Sequence, residues 1–568
     1  MSTLASWIGS TVEAMIGRLF SSPRSGGVMT EIVPLDYHKL SYKPLFLDYL
    51  HRFPALSEFF PGDPFERQSW AKVARELDAT THPRAAVARS LSGLNRDLGA
   101  DEAALASVAA LEKGALAIVT GQQVGILGGP LYTLYKALSA VRIARSVSSQ
   151  LARPVVPLFW MDTDDHDFDE VSRTHLLGAS GELVSVHYEG EEGASRVPVG
   201  GRAIAPAIEK VLEAASQALP ASEFKGEIFQ ALEAYTPGRS FAEAFGSFLL
   251  RLTRGTGLAI VDPSLPALKR LAVDLFRREL SESEKSRETV REATRKLVAA
   301  GYHAQASLVD SQLNLSYARP ERHPISVEGQ GLRLAPDGSV LSRQEVERLL
   351  DDEPQCFSPN VLLRPVYQDK ILPTLAYIAG PSELAYFAQL RGLYRHFGVT
   401  MPLVAPRASF TVVERPQARF LERYGVDLTR LNSDDESLLN EILRRHSPPG
   451  LEEDLTRAQT CIQEITSALE RDLAEVDPTL VPTVASTRGK LFHHLKELES
   501  KALRAVKRKN ETVRNQFLST RTALFPGFEM QERKLSPLVF LNKYGWHFSR
   551  MVEEGADPAV KAHLLLYT

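Results

Sequence analysis

The chain has few cysteines, no long apolar run and little net charge. Its 568 residues include two cysteines, Cys356 and Cys461, so a disulfide framework is excluded and a reducing cytoplasm is the expected compartment. No run approaches the roughly 20 apolar residues that a membrane span needs, and we expect no membrane partner. The formal net charge of −4 argues against a nucleic-acid binder held by overall positive charge.

Several well-known catalytic and metal-binding motifs are also missing. The sequence has no Cys-x-x-Cys pair, so a thiolate zinc site is not expected, and it has no His-Glu-x-x-His motif. It contains no Gly-x-Ser-x-Gly elbow of the kind that carries a nucleophilic serine. Neither a Walker A loop nor a GxGxxG fingerprint is present, so any nucleotide site must be argued from other features.

With 44% hydrophobic and 24% charged residues, the composition is typical of a soluble globular protein. The length predicts two to four domains. Residues 1–28 lack the continuous apolar segment of a signal peptide. We interpret them as an N-terminal extension, either disordered or produced by a start codon placed too early. A surface-lying amphipathic helix is the alternative.

Short β-rich runs alternate with helical patterns between residues 29 and 446, which predicts an α/β fold with a mostly parallel sheet. The candidate strands are residues 116–120, 155–160, 258–261, 374–378 and 403–405. Apolar stripes predict one helix along Leu131, Leu134, Leu138, Val141 and Ala144, and another along Leu384, Phe387, Leu390 and Tyr394. Two insertions, at about 200–256 and 280–350, are expected to be helical, with short strands and turns towards residue 350.

Residues 447–524 have a different character, with two long charged helical patterns at 451–476 and 486–518. Pro478 and Pro482 are expected to interrupt the helix between these two patterns, which predicts an antiparallel coiled-coil hairpin. The hairpin could pack on its own core or pair with a second subunit. Residues 525–568 mix aromatic residues with glycine and are expected to return to the core.

The first polar cluster follows the strand at 116–120 and opens a helix, with the letters TGQQVGILGGPLYTLYK at residues 120–136. Glycines permit close backbone approach to a ligand, and a helix start attracts phosphate. A glycine-rich turn that serves tight packing is the alternative. The candidate nucleotide-binding residues are Thr120, Gly121, Gln122, Gln123, Gly128, Gly129, Pro130 and Tyr132, and Lys136 is a catalytic candidate.

The second cluster, FWMDTDDHDFDE at residues 159–170, directly follows a predicted buried strand. Crowded carboxylates are unfavourable unless a cation, an amine or hydrogen-bond donors offset them. They could hold Mg²⁺ with ATP phosphates or recognise an amino-acid ammonium group, whereas the alternative is a solvated acidic loop with helix caps. The catalytic candidates are Asp164, Asp165, His166 and Asp167, and Trp160 is a candidate substrate contact.

The third cluster combines LRPVYQD at residues 363–369 with YIAGPSELAY at 377–386. Gly380-Pro381 lies between a predicted strand and a predicted helix, as Gly129-Pro130 does. Glu383 could bind a ribose hydroxyl or an amine, or it could only complement the helix dipole. Arg364 could pair with a substrate carboxylate or phosphate, or with an internal acid. The nucleotide candidates are Gly380, Pro381 and Glu383, and the substrate candidates are Arg364, Tyr367 and Tyr386.

Two later segments supply weaker candidates. Arg407, in the PRAS segment at 406–409, could bind phosphate, although a turn between strands explains the same letters. Asn542, Lys543 and Tyr544 could close over a nucleotide together with the Gln-Glu-Arg segment at 531–533, and a surface loop is the alternative.

Three runs together resemble the bacillithiol biosynthesis cysteine-adding enzymes. They are VTGQQVGILGGPLYTLYK (119–136), VVPLFWMDTDDHDFDE (155–170) and LRPVYQDKILPTLAYIAGPSELAY (363–386). Segments 407–409 and 540–545 fit the same pattern, and the resemblance extends from about residue 30 to the C-terminus.

The resemblance implies a Rossmann-type core related to nucleotidyltransferases and class I aminoacyl-tRNA synthetases, with connecting-peptide insertions. It implies a coiled coil that serves dimerisation, and addition of cysteine to glucosaminyl malate to give bacillithiol. By analogy, ATP with Mg²⁺ would activate the cysteine carboxylate for attack by the glucosamine amine. The His-x-Gly-His and Lys-Met-Ser-Lys-Ser signatures of the synthetases are absent. Relatives commonly have Glu preceded by small residues where this chain has Asp162-Thr163-Asp164.

Two other functions stay open beside an ATP-dependent carbon–nitrogen ligase. One is a metal-dependent phosphohydrolase that uses the carboxylates of residues 164–169. The other is a non-enzymatic coiled-coil scaffold, which leaves the polar clusters at the strand ends unexplained. We favour the ligase, with cysteine, glucosaminyl malate and a nucleotide as small-molecule partners and a homodimer as the assembly.

Overall fold

The computed structural model describes residues 31–190, 196–336, 338–445, 450–509 and 511–568. The predicted extension at residues 1–28 lies outside these ranges. The chain divides into two compact units, described separately below. The larger contains the chain up to Ala179, Leu183–Val412 and Met530–Thr568, and the smaller contains Ser180–Glu182 and Val413–Glu529.

A parallel sheet forms the centre of the larger unit. Its strands are β1 (Leu116–Gln122), β2 (Val155–Met161), β3 (Ala259–Val261), β4 (Thr374–Ala379) and β5 (Leu403–Pro406). They lie in the order β5-β4-β1-β2-β3, and every neighbouring pair is parallel. The five predicted strands and the α/β fold class are confirmed, with strand ends shifted by one or two residues.

The strand sequences explain why this sheet is buried on both faces. All seven residues of β2 and all six residues of β4 are buried. Such continuous apolar runs are characteristic of parallel strands covered by helices on both sides. The chain leaves β1 towards β2 and later returns to form β4 on the other side of β1. This reversal creates a crevice at the carboxyl ends of β1 and β4, where α/β sheets bind ligands.

Three helices position side chains around that crevice: α1 (Leu131–Leu151), α2 (Arg364–Ile371) and α3 (Pro381–Phe387). Helix α1 confirms the stripe predicted from Leu131 to Ala144. The second stripe is wrong as a single helix, because the chain leaves α3 after Phe387 and resumes helix at Arg391–Phe397. Between them the buried Gln389 side chain bonds the backbone of Ala306, which fixes a turn there.

The other helices of the larger unit pack around the sheet or belong to the insertions. They are Pro44–His51, Arg67–Asp78, Arg84–Asp97, Glu102–Glu112, Phe168–Val171, Ile208–Ala218, Lys225–Ala231, Phe241–Leu252, Pro266–Arg270, Val273–Ala299, Arg343–Asp352, Arg391–Phe397, Gln531–Lys534, Leu538–Tyr544 and His547–Gly555. The first predicted insertion is indeed helical. The second combines the helix Val273–Ala299 with an antiparallel sheet.

Three smaller sheets complete the strand inventory of the described chain. The inserted antiparallel sheet contains Gln312–Ala318, Arg322–Glu328, Gly331–Arg333, Val340–Leu341 and Phe357–Pro359. The strand His563–Tyr567 lies between Glu31–Leu35 and Phe410–Val413, and Arg173–Leu177 pairs with Leu183–His187. The C-terminal strand therefore pairs with the first described strand of the larger unit.

The smaller unit is helical and contains the predicted hairpin. Helix α4 (Leu451–Val476) and helix α5 (Val481–Lys509) are joined by a short turn, with Arg415–Tyr424, Ser437–Arg445 and Glu511–Leu524 beside them. The side chain of Arg488 donates to Glu470 at 2.9 Å, so the two arms run antiparallel. The predicted break at Pro482 is wrong, because α5 begins at Val481 and a proline in the first helical turn loses no hydrogen bond.

No helix in the described part of the chain is both long enough and apolar enough to cross a membrane.

Candidate active site

A cavity of about 540 Å³ opens at the carboxyl ends of β1, β2 and β4. Its acidic lining residues are Asp162, Asp164, Asp165, Glu170 and Glu383, and its basic ones are Lys136, Arg322, Arg364, Arg407 and Arg533. The remaining lining residues are Gly121, Gln122, Gln123, Tyr132, Trp160, Pro359, Asn360, Val361, Tyr367, Tyr377, Gly380, Pro381, Ser382 and Tyr386. Residues from all three sequence clusters therefore meet in one cavity with charges of both signs.

Lys136 of α1 and Glu383 of α3 form a buried ion pair, with Nζ 2.6 Å from Oε2. The ammonium group also donates to the Gly121 carbonyl at 2.5 Å. Burial lowers the pKa of Lys136, and Glu383 offsets that effect only in part. Glu383 additionally accepts the Gly380 N–H at 2.8 Å and the Tyr377 hydroxyl at 2.7 Å. The carboxylate of Glu383 thus binds the N-terminus of its own helix, α3. This contact agrees with the interpretation in which Glu383 complements the helix dipole.

The acidic run after β2 is held by donors from elsewhere in the chain. Asp164 pairs with the fully buried Lys269 of Pro266–Arg270. Asp165 accepts the Gln123 amide N–H at 2.6 Å and the His166 backbone N–H at 2.7 Å. These contacts offset the repulsion that crowded carboxylates would otherwise suffer.

His166 and Asp167 lie beside the cavity lining rather than in it. Arg322 donates to His166 Nδ1 at 3.4 Å, so this nitrogen acts as an acceptor. Burial, with Arg196 and Arg322 nearby, lowers the pKa of His166 and favours the neutral ring. Asp167 caps the helix Phe168–Val171 by accepting a backbone N–H. Asp167 therefore acts as a helix cap, as the alternative interpretation expected. Catalytic roles for His166 and Asp167 stay predictions.

Arg407 is anchored by an acid from the C-terminal segment. Its two terminal nitrogens donate to the carboxylate of Glu532 at 2.8 and 2.7 Å, and both side chains are almost completely buried. Glu532 also accepts the Ser409 hydroxyl and the Phe410 N–H. Such a bidentate pair already satisfies the face of the guanidinium that would bind a phosphate. Its carboxylate partner also offsets the charge of Arg407, and a phosphate role for this residue stays a prediction.

The turn that follows β1 is packed against protein rather than open to the cavity. Gly128 donates its N–H to the Tyr235 hydroxyl at 3.1 Å, and a Cβ atom there would lie 2.9 Å from Phe248. Gly128 and Gly129 both have positive φ angles. The first N–H of α1, from Leu131, donates to the Leu535 carbonyl at 2.8 Å. Gly128, Gly129 and Pro130 therefore serve tight packing, which was the alternative to a nucleotide-binding role.

Thr120 lies before this turn, on β1. Its hydroxyl donates to the Ile378 carbonyl at 3.0 Å and links β1 to β4.

The candidates in the C-terminal segment lie on the helix Leu538–Tyr544, outside the cavity lining. The buried amide of Asn542 donates to the Pro220 carbonyl at 3.0 Å and accepts from Ser222 at 3.1 Å. The Tyr544 hydroxyl contacts that of Thr568 at 2.8 Å. Lys543 is on the same short helix, so this group is not brought to the cavity.

Several lining residues were not singled out from the sequence. Burial raises the pKa of Asp162 to about 6, with Arg364 opposing the shift. Arg322 comes from the inserted sheet, and no local pattern connects it with β2. Trp160, the candidate substrate contact, does line the cavity, and its indole Nε1 is buried and donates to no described residue.

The chain matches two domain models of one protein family. The model of the bacillithiol biosynthesis BshC N-terminal Rossmann-like domain matches residues 30–408, and that of the BshC C-terminal coiled-coil domain matches residues 410–568. This chain belongs to the BshC family.

Individual BshC relatives agree with that assignment over most of their length. Proteins named "Putative cysteine ligase BshC" from Salinibacter ruber and Koribacter versatilis are each 34% identical to this chain. The first match covers 89% of this chain and 92% of the relative, and the second covers 88% and 93%. A protein of the same name from Symbiobacterium thermophilum is 35% identical over 81% of this chain and 86% of its own.

The BshC match confirms the predicted family, the Rossmann-like core and the C-terminal coiled coil. The match to the coiled-coil domain extends to the C-terminus, whereas Met530–Thr568 packs in the larger unit. Arg533 of that segment lines the cavity, and Glu532 anchors Arg407 there. The last forty or so residues of this BshC chain therefore help to build the cavity.

Proposed function

We propose that this BshC family member is a ligase that joins L-cysteine to glucosaminyl malate, the last step of bacillithiol synthesis, at the expense of ATP. The observation that carries the proposal is the single cavity at the carboxyl ends of the parallel strands, lined by facing acidic and basic side chains. The relatives' name, cysteine ligase, supports the same reaction class.

The proposed reaction needs both kinds of charge in one place. ATP activates the carboxylate of cysteine as an acyl adenylate or acyl phosphate. The amine of the acceptor then attacks the acyl carbon, the acyl C–O bond breaks with release of AMP or phosphate, and the amine loses a proton. Guanidinium groups such as Arg364 and Arg533 suit substrate carboxylates and phosphates. Carboxylates suit an ammonium group and can take up the proton that the amine loses.

Two carboxylates of the cavity support the part of the proposal in which a magnesium ion accompanies ATP. Asp165 and Glu170 each accept a hydrogen bond from the same Gln123 amide nitrogen, at 2.6 and 2.9 Å. One oxygen of each carboxylate therefore faces that amide group, and carboxylate oxygens are the ligands that Mg²⁺ prefers. We assign these two residues to Mg²⁺, which would offset phosphate charge when bound.

The pairing of the acidic run favours the ligase over a phosphohydrolase. A hydrolase of that kind would use the carboxylates of residues 164–169 together on metal ions. Here Asp164 pairs with Lys269 and Asp167 caps a helix, so both carboxylates already have partners inside the protein.

We also propose that the hairpin of α4 and α5 mediates a homodimer. Apolar side chains remain exposed along both arms, at 55% for Ile465, 46% for Leu469, 40% for Leu491 and 56% for Leu498. An apolar stripe at helical spacing that its own hairpin leaves uncovered fits the seam of a coiled coil with a second copy.

The experiment is one incubation of purified protein with ATP, Mg²⁺, cysteine and glucosaminyl malate, read by mass spectrometry. The proposal expects the cysteinyl amide, and none when ATP is omitted. AMP as the second product indicates an acyl adenylate, and ADP indicates an acyl phosphate. Phosphate release from simple esters without any requirement for cysteine supports the hydrolase instead. A folded protein that forms no amide with any nucleotide refutes the proposal.

A further inference from the structure

Behind the cavity wall, a chain of buried polar side chains leads away from Arg364. One guanidinium nitrogen of Arg364 donates to the Gln368 side-chain oxygen at 3.2 Å. The amide nitrogen of Gln368 donates in turn to Asp369 at 2.8 Å. Gln368 and Asp369 are 0% and 2% exposed, so only Arg364 and Tyr386 reach the cavity. The second terminal nitrogen of Arg364 donates to the Tyr386 hydroxyl at 3.0 Å.

This chain of bonds has a direction that Asp369 sets. An ionised carboxylate only accepts hydrogen bonds, so the Gln368 amide must turn its NH₂ group towards Asp369. Its oxygen then faces Arg364. The hydroxyl of Tyr394 also donates to Asp369 and holds the carboxylate from its other side. Without an acceptor at position 369, the Gln368 amide can rotate and present its NH₂ group to the guanidinium, donor against donor.

The two buried arginines of the cavity, Arg407 and Arg364, differ in the protein groups that already accept their hydrogen bonds. Arg407 gives both terminal nitrogens to the carboxylate of Glu532. Arg364 has only the neutral acceptors Gln368 and Tyr386, and within the described chain no carboxylate lies at ion-pair distance from it. A guanidinium carries five N–H donors, so Arg364 retains donors for a bound anion. Asp162, in the cavity lining, and Asp369, behind Gln368, supply negative charge nearby, and in the described chain neither accepts a hydrogen bond from this guanidinium.

We propose that Asp369 is a positioning residue, which fixes the Gln368 amide so that Arg364 presents its guanidinium to a substrate carboxylate. The proposal deepens the proposed ligase function, and it rests on that function for the identity of the ligand. Two substrates of the reaction carry carboxylates, namely cysteine and the malyl group of the acceptor. Arg364 touches the substrate in this arrangement, whereas Asp369 acts only through Gln368.

The test measures binding of L-malate and of L-cysteine separately, by calorimetry, to the full-length protein without ATP. The Asp369→Asn variant replaces a carboxylate that only accepts with an amide that can also donate, so the orientation of Gln368 is no longer enforced, with almost no change in shape. We expect it to weaken binding of one of the two probes by roughly 10-fold, the size expected for the loss of one hydrogen bond. The probe that is affected identifies the carboxylate that Arg364 holds.

Matched variants separate positioning from a general loss of structure. Tyr394→Phe removes the other hydrogen bond to the same carboxylate but leaves the Gln368 amide facing Asp369, so we expect less than a threefold change. Glu553→Gln alters a carboxylate that pairs with Arg145, outside the cavity lining, and should leave binding unchanged. In steady-state assays, Asp369→Asn should raise KM for the affected substrate more than it lowers kcat.

Three results would overturn the proposal: unchanged binding of both probes by Asp369→Asn, equal weakening by Asp369→Asn and Tyr394→Phe, or a wild-type protein that binds neither probe. The binding measurement needs no turnover. A protein that binds a carboxylate through Arg364 but forms no amide would therefore refute the ligase and leave the positioning role standing.

Discussion

The buried pair of Arg407 and Glu532 gives the sharpest stability prediction. Replacing Glu532 with Gln removes the negative charge and one of the two acceptor oxygens. Four donors converge on that carboxylate: two from Arg407, one from Ser409 and one from Phe410. The variant leaves a guanidinium that is 5% exposed without its counter-charge. Removing one partner of a buried pair costs about 3–5 kcal/mol, so we expect a loss of that size in the free energy of unfolding.

Tryptophan fluorescence during urea unfolding measures this loss, because the described tryptophans Trp70, Trp160 and Trp546 all lie in the larger unit. A control is Glu353→Gln, which breaks a more exposed pair with Arg319 and should cost less than about 1 kcal/mol.

Combining Glu532→Gln with Arg407→Met removes the stranded charge. The double variant should therefore be more stable than Glu532→Gln alone. A cost below about 1 kcal/mol for Glu532→Gln would refute the conclusion that this pair fixes Arg407.

Three further predictions concern a second ion pair, a buried histidine and the hairpin. Lys269→Met leaves Asp164 partly buried and unpaired, and urea unfolding should show a loss of about 3 kcal/mol or more. Burial lowers the pKa of His563 to about 4, below its unfolded value, so folding excludes a proton. Stability should fall by roughly 3 kcal/mol between pH 6.5 and 4, and less in His563→Gln. Ile465→Glu with Leu469→Glu should yield monomers in light scattering; an unchanged dimer would exclude this surface.

The central sheet could be read from the sequence because each of its strands is a local signal. Val155–Met161 is a continuous apolar run bounded by polar residues, and such a run predicts a strand buried on both faces. Pro482 shows where local signals fail. A proline predicts a break, but in the first turn of α5 it costs no hydrogen bond, and only the position of the helix start decides between the two outcomes.

The site was predictable to the extent that its residues follow strands of the sheet. Asp164, Asp165 and Gln123 reach the cavity because they come directly after β2 and β1. Their partners come from distant segments: Lys269 lies 105 residues from Asp164, and no local pattern connects them. Gly128 and Gly129 were predicted to bind a nucleotide but pack against protein. The sequence could not separate the two roles, because close approach to a ligand and close packing against protein both favour glycine.

The central claim is that cysteine is ligated in the cavity where Arg364 lies. The most direct measurement is the rate of amide formation, followed by mass spectrometry, in Arg364→Gln and in Arg391→Gln. Arg391 donates to the backbone carbonyls of Ser57 and Glu58 outside the cavity and controls for loss of a guanidinium. We predict a loss of about 100-fold or more for Arg364→Gln, corresponding to about 3 kcal/mol, and a rate close to wild type for Arg391→Gln. Full activity in a folded Arg364→Gln protein would contradict the account.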